Sequence, residues 1–423
     1  MGVHDRLCED GILGEIGGNW VKMVPYSVYL HIPFCKHRCG YCDFNTYAGL
    51  ETLISDYVHA LCREIEMVAA AADSRLPVHT LFFGGGTPSL LPPAELQKLF
   101  AALERCFDLL PDAEVSLEAN PGTISLSYLK DLGALGVNRL SLGVQSANTE
   151  ELRLLERQHS YTDVIQAVTW ARQAGFHNLN LDLIFGLPHQ GMKTWQKSLE
   201  LAVNLQPEHF SLYALTLEHG TPLAHWADRG LVAEPDPDLA AEMYEWASMR
   251  LAEAGYVQYE ISNWATRSEA GIANGWDDEI LACRHNLQYW RNRPYLGLGA
   301  GAHGYAGGVR TANVLAPAAY IQRCIDGKVQ PFPRTPATQN AQLVDRAAEV
   351  SETMMMGLRL IQEGVPAQIF YMRFGQRLDE VFGIEIDDLV QAGLLEWFGE
   401  RGDNLRLTER GRLLGNQVFI RFI

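Results

Sequence analysis

Six strand-like segments alternate with amphipathic helical segments between about residue 26 and residue 215. The strand segments are short runs of branched and aromatic residues that begin near residue 26 and lie at 78–83, 114–119, 138–144, 178–184 and 209–215. Because each helix returns the chain to the same end of the next strand, we expect the strands to run parallel in one sheet. One helix per strand favours a full or partial α/β barrel over an open doubly wound sheet, although the residues alone leave this choice open.

The segment after the first strand predicts a helix, because its apolar residues recur at helical spacing. They are Tyr57, Val58, Leu61, Ile65 and Val68. We expect Ser55 to cap the amino end of this helix.

Polar and glycine-bearing residues follow several of these strands, at the point where each strand ends. GGGTP (84–88), EANPG (118–122), GVQS (143–146) and DLIFGLP (182–188) stand at such positions. In α/β proteins ligands bind at the carboxyl ends of parallel strands. The pattern therefore predicts a ligand site at this rim of the sheet.

Three cysteines follow the first strand in a CxxxCxxC arrangement: Cys35, Cys39 and Cys42. Thiolates select zinc, copper(I) or iron–sulfur clusters. Structural zinc usually takes two separated ligand pairs, and the sequence has no second pair. A zinc site completed by His31 or His37 remains an alternative. The other interpretation is a [4Fe–4S] cluster with three cysteine-ligated irons and one open iron, which can chelate a molecule carrying an amine and a carboxylate.

Composition narrows the function classes. The 423 residues carry a formal charge of −17, which argues against a nucleic-acid or anionic-membrane partner recognised by bulk charge. No apolar run approaches the roughly 20 residues that a membrane span needs, and the N-terminal stretch lacks the pattern of a secretory signal. The other five cysteines are scattered, so we expect a reduced, cytoplasmic protein.

The cysteine segment closely resembles the cluster motif of radical S-adenosylmethionine (SAM) enzymes. With YLHIPFC, GGGTP in place of the usual GGE, EANP, GVQS and DLIFGLP, the chain resembles the coproporphyrinogen dehydrogenase-like branch from about residue 26 to its C-terminus. The resemblance implies a partial (β/α)6-type radical SAM barrel and a [4Fe–4S] cluster on the three cysteines. It also implies SAM bound at the open iron, where one electron cleaves it to methionine and a 5′-deoxyadenosyl radical.

The resemblance further implies which residues contact SAM. They are Tyr29, Tyr41, Gly85, Gly86, Thr87, Glu118, Gln145, Arg157 and Asp182. Carboxylates at strand ends can accept bonds from ribose hydroxyls or the methionyl ammonium, and an arginine can pair with the methionyl carboxylate. Taken singly, Glu118 or Asp182 could instead cap a helix, and Arg157 could be a solvated helix charge.

Two features separate the members of this branch. The dehydrogenase of this branch has the motif CxxxCxxCxC, with a fourth cysteine, whereas this chain has Phe44 at that position. HNLQYW (285–290) matches the HNxxYW motif of the HemW-type heme chaperones. The resemblance therefore implies a protein that binds heme and hands it to heme-requiring respiratory proteins, with an electron donor as a further partner. The alternative is a dehydrogenase that oxidatively decarboxylates porphyrinogen propionates. No catalytic residue is assigned.

The heme site is expected at His285, Asn286, Tyr289 and Trp290. His285 would ligate the iron and the aromatic rings would pack on the macrocycle. Cys283 is a second candidate ligand. From the residues alone, a strand-to-loop segment that closes over SAM is the alternative for this motif.

Four regions are expected along the chain. They are an N-terminal extension (1–25), the barrel core (26–235), a barrel-completing segment (236–335) and a HemN-like C-terminal domain (336–423). The last region predicts a mostly helical, winged-helix-like module. In so acidic a chain we expect it to dock a partner or support the barrel rather than bind DNA.

Overall fold

The computed structural model describes residues 12–16, 19–268, 280–400 and 402–423. Its strands are β1 (Ile12–Ile16), β2 (Asn19–Met23), β3 (Tyr26–Ile32), β4 (Phe34–Cys35), β5 (Tyr47–Ala48), β6 (Pro77–Gly85), β7 (Asp108–Ala119), β8 (Arg139–Gln145), β9 (Leu179–Phe185), β10 (His209–Ala214), β11 (Tyr256–Glu260), β12 (Asn263–Thr266), β13 (Tyr295–Leu298), β14 (His303–Ala306), β15 (Val309–Asn313), β16 (Thr338–Leu343), β17 (Val365–Pro366), β18 (Leu395–Phe398) and β19 (Asn404–Leu407).

The helices are α1 (Ile54–Ala71), α2 (Pro93–Cys106), α3 (Leu126–Ala134), α4 (Thr149–Leu154), α5 (Tyr161–Gln173), α6 (Met192–Val203), α7 (Pro222–Asp228), α8 (Pro237–Glu253), α9 (Arg284–Trp290), α10 (Pro317–Asp326), α11 (Arg346–Gly357), α12 (Ala367–Phe374), α13 (Leu378–Gln391), α14 (Glu409–Leu413) and α15 (Gly415–Phe419). Short 3₁₀ turns lie at Glu51–Leu53, Pro88–Leu90, Pro121–Thr123 and Ile420–Phe422.

One large sheet organises the fold, and in the described part of the chain it has twelve strands. Their order is β11-β12-β10-β9-β8-β7-β6-β3-β13-β14-β15-β16. The six predicted strands, β3 and β6 to β10, pair in parallel, and β13 adds in parallel on the other side of β3. Antiparallel strands extend both edges. Among the described strands β11 and β16 remain unjoined edges, which confirms the predicted partial barrel.

Alternation along β3 separates the core from the barrel interior. Val28, Leu30 and Ile32 are fully buried in the main hydrophobic core, which the helices cover. The intervening polar side chains, among them Ser27 and His31, point to the other face of the sheet. The interior of the barrel is therefore polar, which prepares it for hydrogen-bonded ligands.

Helix α1 confirms the predicted apolar face, since Tyr57, Leu61 and Ile65 are fully buried. The expectation that Ser55 caps this helix was wrong. A 3₁₀ turn precedes the helix, Leu53 stands at the cap position, and no side chain caps the first turn.

The C-terminal region has a hydrophobic core of its own, which runs from Val350 to Phe422. Helices α11 to α15 surround a three-stranded sheet in the order β17-β19-β18, the arrangement expected of a winged-helix-like module. Of the predicted N-terminal extension, β1 and β2 form an antiparallel hairpin, and residues 1–11 and 17–18 lie outside the described residues. The four predicted region boundaries stay a prediction. None of the described helices is long and apolar enough to cross a membrane.

Glu64 on α1 ties the barrel-completing strands to the core. Its fully buried carboxylate accepts hydrogen bonds from Gly299 N–H, the Asn313 amide, and the Tyr320 and Thr335 hydroxyls, at 2.6–2.8 Å. Burial raises the pKa of Glu64, and these donors oppose that rise. A buried group with this many partners is costly to replace, because each partner loses its acceptor.

We predict that Glu64→Gln lowers the free energy of unfolding by about 2–4 kcal/mol, because the amide turns a donor toward groups that are themselves donors. Urea denaturation followed by circular dichroism measures the loss. The control is Glu66→Gln, which removes only surface ion pairs with Arg63 and Arg105 and should cost under about 1 kcal/mol. Equal losses in the two variants would contradict this account of Glu64.

Candidate functional site

A cavity of about 770 Å³ opens at the carboxyl ends of the parallel strands, where the sequence predicts a ligand site. It brings together all three motif cysteines and eight of the nine predicted SAM contacts. Those lining residues are Cys35, Cys39, Cys42, Tyr41, Gly85, Gly86, Thr87, Glu118, Gln145, Arg157 and Asp182. Within the described part of the chain, Tyr29 and the four predicted heme residues lie outside this cavity.

The glycine run after β6 holds the cysteine loop in place. Gly86 N–H donates to Ile32 O and Thr87 N–H donates to Phe34 O, each at 2.8 Å. A Cβ on Gly86 would lie 2.6 Å from Phe34 O and 3.0 Å from Cys35 Sγ, so only glycine permits this approach. The two rim motifs are therefore one structure, and the second fixes where the first cysteine stands.

Asn45 anchors the far end of the cysteine loop. Its side-chain amide donates to Ala300 O at 3.0 Å and to Leu315 O at 2.9 Å. Its main-chain carbonyl accepts from His31 Nε2 at 2.9 Å. With the proton on Nε2, His31 accepts at Nδ1 from the Tyr29 hydroxyl at 3.0 Å. Tyr29 therefore supports the loop through His31, and its predicted contact with SAM stays a prediction.

Each cysteine sulfur has a hydrogen-bond donor close to it. Thr87 Oγ1 lies 3.6 Å from Cys35 Sγ and Arg157 Nη1 lies 3.8 Å from Cys39 Sγ. Thr46 Oγ1 lies 4.0 Å from Cys42 Sγ. Donors around thiolates are what an iron–sulfur cluster requires of its surroundings, so these residues fit the predicted cluster.

The zinc alternative fits less well. Among the described residues no three His, Cys, Asp or Glu side chains converge closely enough to hold a single metal ion. A cubane cluster accepts thiolates that are farther apart, because each binds a different iron. The loop geometry thus favours the cluster over a four-coordinate zinc ion.

Two half-buried carboxylates, Glu118 and Asp182, lie below the cysteine loop. Glu118 Oε2 accepts from Gly85 N–H at 3.0 Å. Asp182 accepts from Ser141 at 2.8 Å and Asn180 at 2.7 Å. Burial raises the pKa of Glu118 to about 7, with a smaller contribution from the charge of Asp182, and burial also raises the pKa of Asp182. The pair can accept bonds from hydroxyl or ammonium groups of a ligand.

Gln145 and Arg157 complete this wall of the cavity. Gln145 has a φ of 65°, which side-chain-bearing residues seldom adopt. Arg157 Nη2 donates to Gly143 O at 2.8 Å while Nη1 faces Cys39. Arg157 is therefore not the solvated helix charge that it could have been on sequence alone.

Tyr213 and Glu156 line the same cavity, although neither was predicted from the sequence. Tyr213 lies two residues beyond Ser211 on β10, so period-two alternation could have placed it on the interior face. No sequence pattern predicts the position of Glu156, because it reaches the site through a left-handed turn of the chain (φ 55°) after α4.

The HNLQYW segment lies at the opposite end of the barrel. The alternative interpretation of this motif is a strand-to-loop segment that closes over SAM, but residues 284–290 form helix α9, which packs against the amino-terminal parts of the strands. The structure therefore does not support that alternative. Glu114 on β7 accepts hydrogen bonds from the backbone N–H groups of Arg284 and His285, and this fixes the start of the helix.

Both ring nitrogens of His285 are hydrogen-bonded, and the residue is only 1% exposed. Thr80 donates its own proton to Ser27, so it accepts from His285 Nδ1 at 2.8 Å. Nε2 then accepts from the Tyr289 hydroxyl at 2.8 Å. Burial lowers the pKa of His285 to about 3, so the ring is neutral.

The other aromatic residues of the motif are also packed within the protein. Tyr289 contacts the Tyr295 ring edge to face, with the ring centroids 4.5 Å apart. Arg359 stacks over the Trp290 ring at 4.6 Å. The predicted heme contacts at His285, Asn286, Tyr289 and Trp290 stay a prediction, and heme could reach His285 only if α9 moved.

Two protein families match this chain, one in the barrel and one in the C-terminal region. The radical SAM superfamily matches residues 29–202, and the HemN C-terminal domain family matches residues 344–414. The heme chaperone HemW of Bacillus subtilis is 38% identical over 94% of this chain and 99% of its own length. HemW of Escherichia coli is 34% identical over 95% of this chain and 99% of its own length.

Among solved structures, coproporphyrinogen III oxidase HemN from Escherichia coli has a similar fold. The TM-score is 0.76 at 24% identity, and the match covers 94% of this chain and 90% of that one. At this identity the likeness concerns the fold.

We predict that Gly86→Ala lowers the iron retained after anaerobic reconstitution by at least about half, because the added Cβ pushes Cys35 and the Phe34 carbonyl away. Iron per chain and the visible absorption of the protein measure the effect. The control is Gly122→Ala, another lining glycine whose Cβ would meet only ordinary contacts, the nearest at 3.7 Å. Iron retention in Gly86→Ala that equals the control would refute the geometric role of Gly86.

Proposed function

The chain belongs to the HemW heme-chaperone family of radical SAM proteins, and from this membership we propose that it binds heme and delivers it to proteins that require heme. Its match to curated heme chaperones along nearly the whole of both chains carries the proposal. Both parts of such a protein are present, because the radical SAM region and the HemN C-terminal region are both matched.

Phe44 favours the chaperone over the coproporphyrinogen dehydrogenase. The dehydrogenase motif has a fourth cysteine at this position. Here the position carries the apolar ring of Phe44, which is 64% exposed. Likeness in fold to a coproporphyrinogen oxidase does not bear on this choice, since both proteins share the scaffold. The dehydrogenase remains the alternative that the experiment below addresses.

For the cofactors, we propose that Cys35, Cys39 and Cys42 hold a [4Fe–4S] cluster. The donors beside each sulfur support this assignment, because hydrogen bonds to thiolates stabilise the negative charge of the cluster. When bound, the cluster supplies single electrons and one open iron. The chain positions the three sulfurs and shields them from solvent to different extents, since Cys35 is buried and Cys39 and Cys42 are half-buried.

We propose that SAM occupies the cavity below the cysteine loop. Glu118 and Asp182 would accept bonds from its ribose hydroxyls or ammonium group, and Arg157 would pair with its carboxylate. The remaining contacts would come from Tyr41, Gly85, Gly86, Thr87 and Gln145, with Tyr29 predicted as well. Respiratory proteins as heme recipients, a separate electron donor and a cytoplasmic location stay predictions.

We predict that SAM binds more tightly as pH rises through about 7 and then levels off. Below its pKa of about 7 the Glu118 carboxyl is protonated, so it loses its charge and part of its acceptor capacity. Affinity should fall by up to about tenfold per pH unit below that point. Calorimetric titration of the reconstituted protein with SAM measures this dependence. The pH is varied from about 5.5 to about 8.5, so that the range brackets the pKa of Glu118.

The comparison variant is Glu118→Gln. It should bind SAM more weakly, and its affinity should lack the part of the pH dependence that the Glu118 carboxylate causes. Because SAM carries its own titratable amine, only the difference between the two proteins is diagnostic. Parallel profiles for the wild type and Glu118→Gln would rule out Glu118 as the titrating contact.

We predict that the full chain binds ferric heme with a Soret band distinct from that of free heme and transfers it to an apo-heme protein. Difference spectra of anaerobically reconstituted protein follow binding, and recovery of activity in an apo-peroxidase follows transfer. In the same preparation, coproporphyrinogen III with SAM and a reductant should yield no protoporphyrinogen IX. Absence of heme binding at micromolar heme would refute the chaperone, and turnover of coproporphyrinogen would establish the alternative.

A further inference from the structure

The mouth of the cavity, formed by Lys36, His37, Arg38, Phe44 and Glu156, presents the groups that a heme requires. We propose that heme binds at this mouth, with His37 as the ligand of its iron. The inference rests on the proposed heme-chaperone function and names a site for it away from the HNLQYW motif.

His37 can offer a lone pair to iron. Its ring is 43% exposed, and Nε2 lies 3.4 Å from Glu156 Oε2, while Nδ1 makes no hydrogen bond among the described residues. A carboxylate beside one ring nitrogen favours the tautomer with the proton on that nitrogen and leaves the other nitrogen free to coordinate a metal. The contact with Glu156 therefore favours the tautomer of His37 in which Nδ1 carries the lone pair.

The backbone and the carboxylate of Glu156 are both constrained in this position. Its backbone adopts the left-handed region, at φ 55°, where residues other than glycine are strained. Its carboxylate packs so closely on the cysteine loop that a Cβ on Gly40 would lie 3.1 Å from Oε2. The loop is anchored beside this contact, because Gly40 O accepts from Leu223 N–H at 2.9 Å. Strain that is maintained at a cavity mouth indicates that the carboxylate position matters to function.

The charge around His37 suits the propionates of heme. Lys36 and Arg38 flank it and are both exposed, and neither forms an ion pair within the described part of the chain. Arg38 makes one long contact, from Nη2 to Cys42 O at 3.4 Å. In a chain of net charge −17, two uncommitted cations beside an exposed histidine are a local exception. Asp43 and Glu218 also line the cavity, so acidic groups accompany these cations.

Phe44 supplies the apolar contact. Its ring is 64% exposed at the mouth, although burial of a phenylalanine ring away from water stabilises a protein. A porphyrin face placed on the ring would recover that burial and add aromatic stacking. Position 44, where the dehydrogenase motif has an extra cysteine, would then contact the porphyrin ring.

The alternative ligand is far less accessible. At His285, iron would have to displace the Tyr289 hydroxyl from Nε2 and enter a region that is 1% exposed. His159, the other described histidine that lines the cavity, is also buried, and its Nε2 contacts Val144 O at 3.1 Å. His37 is thus the one described histidine that both lines the cavity and is exposed.

Heme titration of the full chain, followed by difference absorbance, tests the proposal. We expect His37→Ala to weaken heme binding at least about tenfold and to shift the Soret band. His59→Ala, which removes an exposed histidine from α1, should leave affinity and spectrum unchanged. Replacing Lys36 and Arg38 together by Gln should weaken binding several-fold and reduce its salt dependence, because propionate pairing is lost.

A ligand replacement separates coordination from a structural effect. His37→Tyr should give the high-spin ferric spectrum of a phenolate-ligated heme, a change that loss of packing alone would not produce. Phe44→Ala should weaken binding and leave the ligand spectrum unchanged.

Each result bears on a different claim. If the wild type binds no heme, the proposed function fails. If the wild type binds heme and His37→Ala binds it with the same affinity and spectrum, this inference is overturned while the function stands. Loss of binding in His285→Gln, with folding intact and His37→Ala unaffected, would place the ligand at the closed end of the barrel.

Discussion

Two main-chain hydrogen bonds, from Gly86 N–H to Ile32 O and from Thr87 N–H to Phe34 O, determine the geometry of the whole open end of the barrel. They extend the parallel pairing of β3 and β6 past the ends of the strands and into the cysteine loop. Only a residue without a side chain fits at position 86, so the glycine run positions the metal ligands rather than merely turning the chain. The Asn45 amide then fixes the rest of the loop against Ala300 and Leu315, and the Gly40 carbonyl fixes it against Leu223.

The barrel interior divides into two polar layers with opposite electrostatic consequences. At the open end the half-buried carboxylates of Glu118 and Asp182 have raised pKa values, because burial disfavours their charged forms, and the charge of Asp182 adds to the rise at Glu118. A cationic ligand relieves that cost, which suits a sulfonium such as SAM. At the closed end burial lowers the pKa values of His79 and His285 to about 4 and about 3, so their rings stay neutral. They are joined by hydrogen bonds through Thr80, Ser27 and Gln288, and the network is complete without a ligand.

Sequence reasoning predicted the open end well because its signal is local. Strand periodicity gives the six parallel strands, and cavity-lining residues such as Asp182 follow directly from their position at strand ends. The positions of Glu156 and Tyr29 could not be obtained this way. Glu156 reaches the mouth through a left-handed turn, and the hydroxyl of Tyr29 is committed to His31, which depends on a loop folded over it.

The HNLQYW motif shows the same limit. Its residues are typical of a metal-binding or aromatic site when taken alone, yet their partners, Thr80 and Glu114, lie more than a hundred residues away in the sequence. Only the tertiary fold reveals that these partners already satisfy His285. The motif therefore supports the closed end of the barrel in this conformation, and its hydrogen bonds explain why a histidine is required there: a neutral imidazole accepts from Tyr289 and donates to Thr80 simultaneously.

The separation of these two ends bears on how a heme carrier can release its cargo. A ligand buried beneath α9 would bind heme only after the packing of Tyr289 and Trp290 had been disrupted, and release would require the same disruption. At the cavity mouth, heme would be held by one exposed imidazole, one aromatic face and two screened ion pairs. Such contacts leave the second face of the macrocycle open to a recipient protein, so transfer can proceed through a shared complex without unfolding the donor. The exposed mouth is therefore the end of the barrel whose physical properties suit delivery, while the neutral, fully satisfied closed end suits stability.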